Sequence, residues 1–153
     1  EIWAGRAEDL PYERAEQLLV MASMIEKETG LISEQARVSS VFVNRLRADM
    51  RLQSDPTVAY GFAKEGILPA TLTKKHLASI HRWNTYRHKG LPPTAIANPG
   101  KTALIAAAHP ENSPYYYFVA DGNGGHLFGK TLAEHNRNVR TYRNHLKRSK
   151  KQE

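Results

Sequence analysis

The segment Ile25-Glu26-Lys27-Glu28-Thr29 places two carboxylates two residues apart, a pair that could be taken for a general acid and its base. Helical geometry argues against joint action, because positions two apart differ by about 200° around the axis. With the small and apolar positions Ala15, Leu18, Leu19, Ala22 and Ile25 as one buried stripe centred on Ala22, Glu26 lies about 40° from its middle and Glu28 about 120° away. Glu26 is therefore expected to point into the core or a cleft. There the loss of hydration and the negative end of the helix dipole would both raise its pKa, as a general acid near neutral pH requires. The same placement also fits a buried glutamate satisfied by an arginine or by backbone donors.

A second set of polar residues, Gln53, Asp55, Asn84, Tyr86, Asn98, Tyr117 and His126, falls in segments that read as loops. Loops on a rigid frame are where binding groups concentrate. These side chains offer donors, acceptors and ring faces suited to a sugar polymer, although each is also a common turn or capping residue. The seven histidines show no His-Glu-x-x-His or comparable ligand spacing, so no metal site is expected. No cofactor is expected either, since there is no P-loop or dinucleotide fingerprint. The Asp121-Gly122-Asn123-Gly124-Gly125 run lacks the following Lys-Ser/Thr and reads as a turn.

The elements that must hold these residues follow from periodicity and caps. Asp9, Pro11 and Gly30 bracket a first helix over 11–29, and Ser33 caps a second over 34–49 with Val38, Val41, Phe42 and Leu46 inward. Residues 51–58 read as a loop or short strand, with Pro56 forcing Asp55 into an extended conformation. A short helix follows Thr73 and fades by residue 86, Gly90-Leu91-Pro92-Pro93 is an extended loop, and Asn98-Pro99-Gly100 starts a helix over 101–108. Aromatic residues 115–120, the glycine-rich turn and His126-Leu127-Phe128 form a hairpin. Thr131 to Glu134 has capping-box spacing and opens a final helix with Leu132, His135, Val139, Tyr142 and Leu146 on one face. The fold class is thus α+β, a mostly helical single domain over 1–153 with a small antiparallel β-hairpin.

At 153 residues, 41% hydrophobic and 24% charged, the chain can bury a core without staples, and the absence of cysteine excludes disulfides and thiolate chemistry. The net charge of +7 is concentrated at one end: residues 137–153 carry seven bases against Glu153, while residues 1–136 carry 15 bases against 14 acids. That run suits the negative end of the last helix, and without an aromatic-interleaved groove it does not suggest nucleic-acid binding. No apolar stretch is long enough to span a bilayer, and the start Glu1-Ile2-Trp3, with neither Met nor a signal pattern, suggests a processed product or a fragment.

Nine ordered segments carry a family resemblance: Ala22 to Thr29, Ser40 to Leu46, Arg51 to Val58, Asn84-Thr85-Tyr86, Gly90 to Pro93, Asn98-Pro99-Gly100, Ala106 to Pro110, Tyr117 to Gly122 and Gly125-His126. Together they resemble the endolytic murein transglycosylases of the MltG (YceG-like) family over nearly the whole chain. The resemblance implies a lysozyme-like catalytic glutamate at the end of a helix, the first of the Glu-Lys-Glu-Thr segment, Glu26. It implies lytic cleavage of the MurNAc-β-1,4-GlcNAc bond of peptidoglycan to 1,6-anhydro ends, in cell-wall assembly and glycan chain termination; Gln53, Asp55, Asn84, Tyr86, Asn98, Tyr117 and His126, by their residue types, are the candidates for glycan contacts. It also implies an extracytoplasmic (periplasmic) catalytic domain whose membrane anchor and LysM-like subdomain are not in this chain, and peptidoglycan synthases (penicillin-binding proteins) as partners. Two alternatives stay open: a hydrolytic muramidase using Glu26 and Asp55, and a glycan-binding module without activity.

Overall fold

The computed structural model describes residues 1–150, and places six helices and one hairpin there: α1 (Ala15–Glu28), α2 (Ile32–Arg47), α3 (Asp55–Lys64), α4 (Lys74–Leu77), α5 (Lys101–Ala108), β1 (Tyr117–Ala120), β2 (His126–Gly129) and α6 (Leu132–Ser149). The α+β reading holds. Helix α5 packs across α1 and α2, and its Ala103, Ala106, Ala107 and Ala108 are buried, so the backbones approach closely. Against them sit Met21, Met24 and Ile25 of α1 and Val38, Phe42 and Val43 of α2, each no more than 1% exposed. Removing one such side chain from water contributes roughly 1.5–3 kcal/mol. Phe42 meets Phe118 edge-on with centroids 5.7 Å apart, which joins the helical core to the hairpin.

Several boundaries depart from expectation. Helix α1 begins at Ala15 rather than Pro11, because Asp9 takes a left-handed backbone (φ 57°) and the Gln17 side chain accepts from the N–H groups of Glu13 and Arg14. The stretch containing Asp55 and Pro56 is the first turn of α3, not an extended segment: proline is well suited to a first helical turn, whose N–H groups have no intrahelical partner. The expected inward face of α2 holds, while Leu132 and Leu146 of α6, expected on a packed face, are 57% and 39% exposed. Among the described elements helix α6 packs on the hairpin alone, with Tyr117 and His135 stacked at 5.1 Å and Asn138 Nδ2 donating to the Phe128 carbonyl. None of its side chains is fully buried.

The strands pair antiparallel with Phe118 opposite Phe128 and Ala120 opposite His126. Gly122 and Gly124 hold positive φ in the turn, and a Cβ on Gly122 would also collide with the His145 ring. The basic run starts at Arg137 and extends along α6, with Lys147 and Arg148 in its last turn. Lys151 and Glu153 lie outside the described residues. Among those residues no helix is long and apolar enough to cross a membrane.

Candidate active site

A cleft of about 520 Å³ opens between the C-terminal end of α1, the segment 52–55, Tyr86, the hairpin and α6. Of the residues singled out from the sequence, it gathers Gln53, Asp55, Tyr86, Tyr117 and His126. It also contains Glu28, Arg45 and His135.

The two glutamates at the C-terminal end of α1 have exchanged their expected places. Glu26 is exposed and outside the cleft, where its Oε2 accepts from the Gly100 N–H at 3.0 Å and so ties the end of α1 to the start of α5. Glu28 lines the cleft. The reason lies in the width of the buried surface: every residue from Val20 to Ile25 is buried, so the turn above has no solvent face from which a stripe centre can be read. Glu28 continues the row Met21, Met24, Ile25 at steps of three and four, a row that is wholly buried. Its Oε1 accepts from Ser54 Oγ at 2.7 Å. Burial pushes the Glu28 carboxyl up to about 7; the Ser54 hydrogen bond opposes the rise and the nearby Asp55 charge adds to it. A carboxyl that holds its proton near neutral pH, yet opens onto a cleft, can protonate a leaving group.

Ser54 is held by a buried hydroxyl network that the sequence reading missed. Its N–H donates to Thr85 Oγ1 at 2.9 Å, its carbonyl accepts from Thr57 Oγ1 at 2.6 Å, and the two threonine hydroxyls share a hydrogen bond of 2.8 Å. All three residues are buried, so each hydroxyl needs these partners. The chain reaches Ser54 through Gln53, whose left-handed backbone (φ 52°) turns the segment after the buried anchor Leu52. Only the Asp55-Pro56 signal for a helix start, together with Ser54 at its cap position, could have pointed to this arrangement.

Asn84, expected to touch substrate, is instead fully buried: its amide donates to the carbonyls of Leu77 and Ser79, and its Oδ1 accepts from the Tyr86 N–H. It braces Tyr86 rather than lining the cleft. Asn98 is exposed and also lies outside the cleft, in the turn before α5. The Tyr86 hydroxyl donates to Asp55 Oδ1, and burial followed by that hydrogen bond and the Asp55 charge holds the phenol well above its usual range, as a neutral donor. Asp55 itself is exposed at the cleft edge.

Arg45 is 6% exposed and clamps the wall of the cleft, with Nε donating to the Tyr116 carbonyl at 2.6 Å and Nη1 to the Arg51 carbonyl at 2.8 Å. Its guanidinium also sits 4.9 Å from the Tyr117 ring centroid. One residue of α2 thereby joins the hairpin to the 51–55 segment. Across the cleft, His126 is anchored by Glu34, whose Oε2 lies 2.8 Å from His126 Nδ1. Among the described residues, no cluster of histidine, aspartate and glutamate side chains is arranged to hold a metal ion.

The YceG-like family matches residues 1–141. An endolytic murein transglycosylase of Bacillus subtilis is 42% identical over 126 residues, 82% of this chain and 34% of the relative. One of Streptococcus pneumoniae is 30% identical over 129 residues, 80% of this chain and 23% of the relative. The crystal structure of a yceG-like protein of Listeria monocytogenes aligns with a TM-score of 0.74 and 44% identity, covering 80% of this chain and 39% of the other. The chain thus spans about a third or less of the curated relatives it matches.

Proposed function

Because the chain belongs to the YceG-like family, we propose that it is the catalytic domain of an endolytic murein transglycosylase that cleaves the MurNAc-β-1,4-GlcNAc bond within peptidoglycan strands. The observation that carries this reading is Glu28: a half-buried carboxyl with a pKa near 7, hydrogen-bonded to Ser54, in the cleft that also contains Gln53, Tyr86, Tyr117 and His126. Protonated Glu28 gives its proton to the glycosidic oxygen as the C1–O bond breaks. The resulting carboxylate takes the proton of the C6 hydroxyl as that oxygen bonds to C1, which closes the 1,6-anhydro ring and restores the acid. The nucleophile belongs to the substrate, and intramolecular attack has a high effective molarity. Glu26, outside the cleft, takes no part in this scheme. The reading places the protein in the cell envelope, with the chemistry on the extracytoplasmic side of a membrane-anchored protein and with peptidoglycan synthases as its partners.

A second reading is favoured by Asp55, which borders the same cleft and whose charge acts on Glu28. A muramidase using Glu28 and Asp55 would add water across the bond and release reducing ends. Digestion of uncross-linked glycan strands in oxygen-labelled water decides between them. Mass spectrometry is expected to show anhydro products lighter by one water and free of label. Labelled reducing ends as the main product overturn the lytic reading, and strands that bind without being cut reduce the protein to a glycan-binding module.

A further inference from the structure

We propose that Glu34 is a positioning residue: it fixes the His126 imidazole as the Nδ1–H tautomer and so presents Nε2 to the cleft as an acceptor for a sugar hydroxyl. This rests on the reading that the cleft holds a glycan. Glu34 stands in the first turn of α2 and does not line the cleft. Its carboxylate bridges to the first residue of β2 at two points, Oε1 accepting from the His126 N–H at 3.2 Å and Oε2 from the ring Nδ1 at 2.8 Å. Both side chains are shielded, with 12% exposure for His126 and 18% for Glu34. The ring is also held from its faces, edge-on to Phe118 at 5.3 Å and tilted against Phe128 at 6.3 Å.

Two donors converge on one side chain, and only a carboxylate offers two acceptors there without carrying a donor of its own. A glutamine in that place satisfies one donor and turns an N–H toward the other. With Nδ1 engaged, Nε2 is the remaining ring nitrogen; it has no hydrogen-bond partner among the described residues, and His126 lines the cleft. A carboxylate that orients a histidine from behind fixes both its tautomer and its ring angle. Gly125 belongs to the same arrangement, since a Cβ on it would come within 3.1 Å of Glu34 Oε1 and 3.0 Å of Asp121 Oδ2. Side-chain-free backbone at 125 is what lets the carboxylate reach β2.

The test has a spectroscopic arm that needs no substrate and a kinetic arm that does. Nitrogen-15 NMR is expected to show the neutral imidazole of His126 as the Nδ1–H tautomer, changing to Nε2–H in Glu34→Gln. A neutral ring already Nε2–H in the wild type, or a tautomer unaltered by the substitution, overturns the proposal. On glycan strands, Glu34→Gln is expected to lower kcat/KM roughly ten- to a hundred-fold, the span of one hydrogen bond to a charged group, with thermal melting nearly unchanged. In a His126→Phe background the same substitution should cost less than twofold, because the effect runs through the missing ring. An equal loss in both backgrounds makes Glu34 a structural pin and refutes the role. Gly125→Ala, which displaces the carboxylate by a few tenths of an ångström, is expected to reproduce the tautomer change in part. If the wild type cuts no glycan strand, the functional reading fails, while the NMR result still decides the positioning.

Discussion

Replacing Glu28 by glutamine separates chemistry from stability in opposite directions. The carboxyl rises from 4.5 to about 7 on folding, chiefly through burial. Below pH 4.5 both folded and unfolded chains hold the proton, so the group contributes no difference. Between 4.5 and 7 the unfolded chain has lost the proton that the folded chain retains, and the fold loses stability as pH rises. Above 7 the ionised carboxylate imposes its full penalty, at about 1.4 kcal/mol per pH unit no more than about 3.5 kcal/mol. Residual solvent contact at the cleft reduces that ceiling to about 1–2 kcal/mol. Glutamine never ionises, and its carbonyl still accepts from Ser54 Oγ. The variant is therefore expected to match the wild type in thermal melting at pH 4 and to exceed it at pH 8.5 by roughly 2–8 °C for a domain of this size. Its turnover on glycan strands should vanish at every pH, whereas Glu26→Gln keeps it within a few-fold. Wild-type turnover should decline as pH rises through about 7, where the acid loses its proton. A variant no more stable at pH 8.5 than at pH 4 relative to wild type, or one that still cuts strands, refutes the assignment of Glu28.

Asp55→Asn is expected to lower the rate by about ten- to a hundred-fold, since Asp55 holds the Tyr86 hydroxyl, and still to yield anhydro product; loss of all cleavage would instead place Asp55 in the chemistry. Gly61→Ala tests the packing beneath α3: a Cβ there would stand 2.2–2.6 Å from three atoms of the His81 ring. The variant is expected to lose about 1–3 kcal/mol in denaturant unfolding, and an unchanged midpoint would show that His81 moves freely.

Much of the frame was legible along the chain. The helix over 101–108 was bounded correctly because Asn98-Pro99-Gly100 and Pro110 are local signals, and the hairpin followed from aromatic residues flanking a glycine-rich turn. Turn chemistry and caps act over a few residues, so a sequence carries them. Gln53, Asp55, Tyr86, Tyr117 and His126 were legible as polar groups in loops, and the cleft gathers all five. Asn84 was not, because a buried asparagine bracing two carbonyls has the same local sequence as one facing solvent.

The choice between Glu26 and Glu28 depended on the tertiary structure alone. Periodicity finds which face of a helix is buried only when another face is wet, and α1 is enclosed from Val20 to Ile25. What covers each side near its end then decides: Gly100 at the start of α5 meets Glu26 at the surface, and Ser54 meets Glu28 in the cleft. Those partners lie 74 and 26 residues away in the chain. The residue types and their order determined that a carboxyl at the end of this helix was available for acid chemistry; long-range packing determined which one loses its water and keeps its proton.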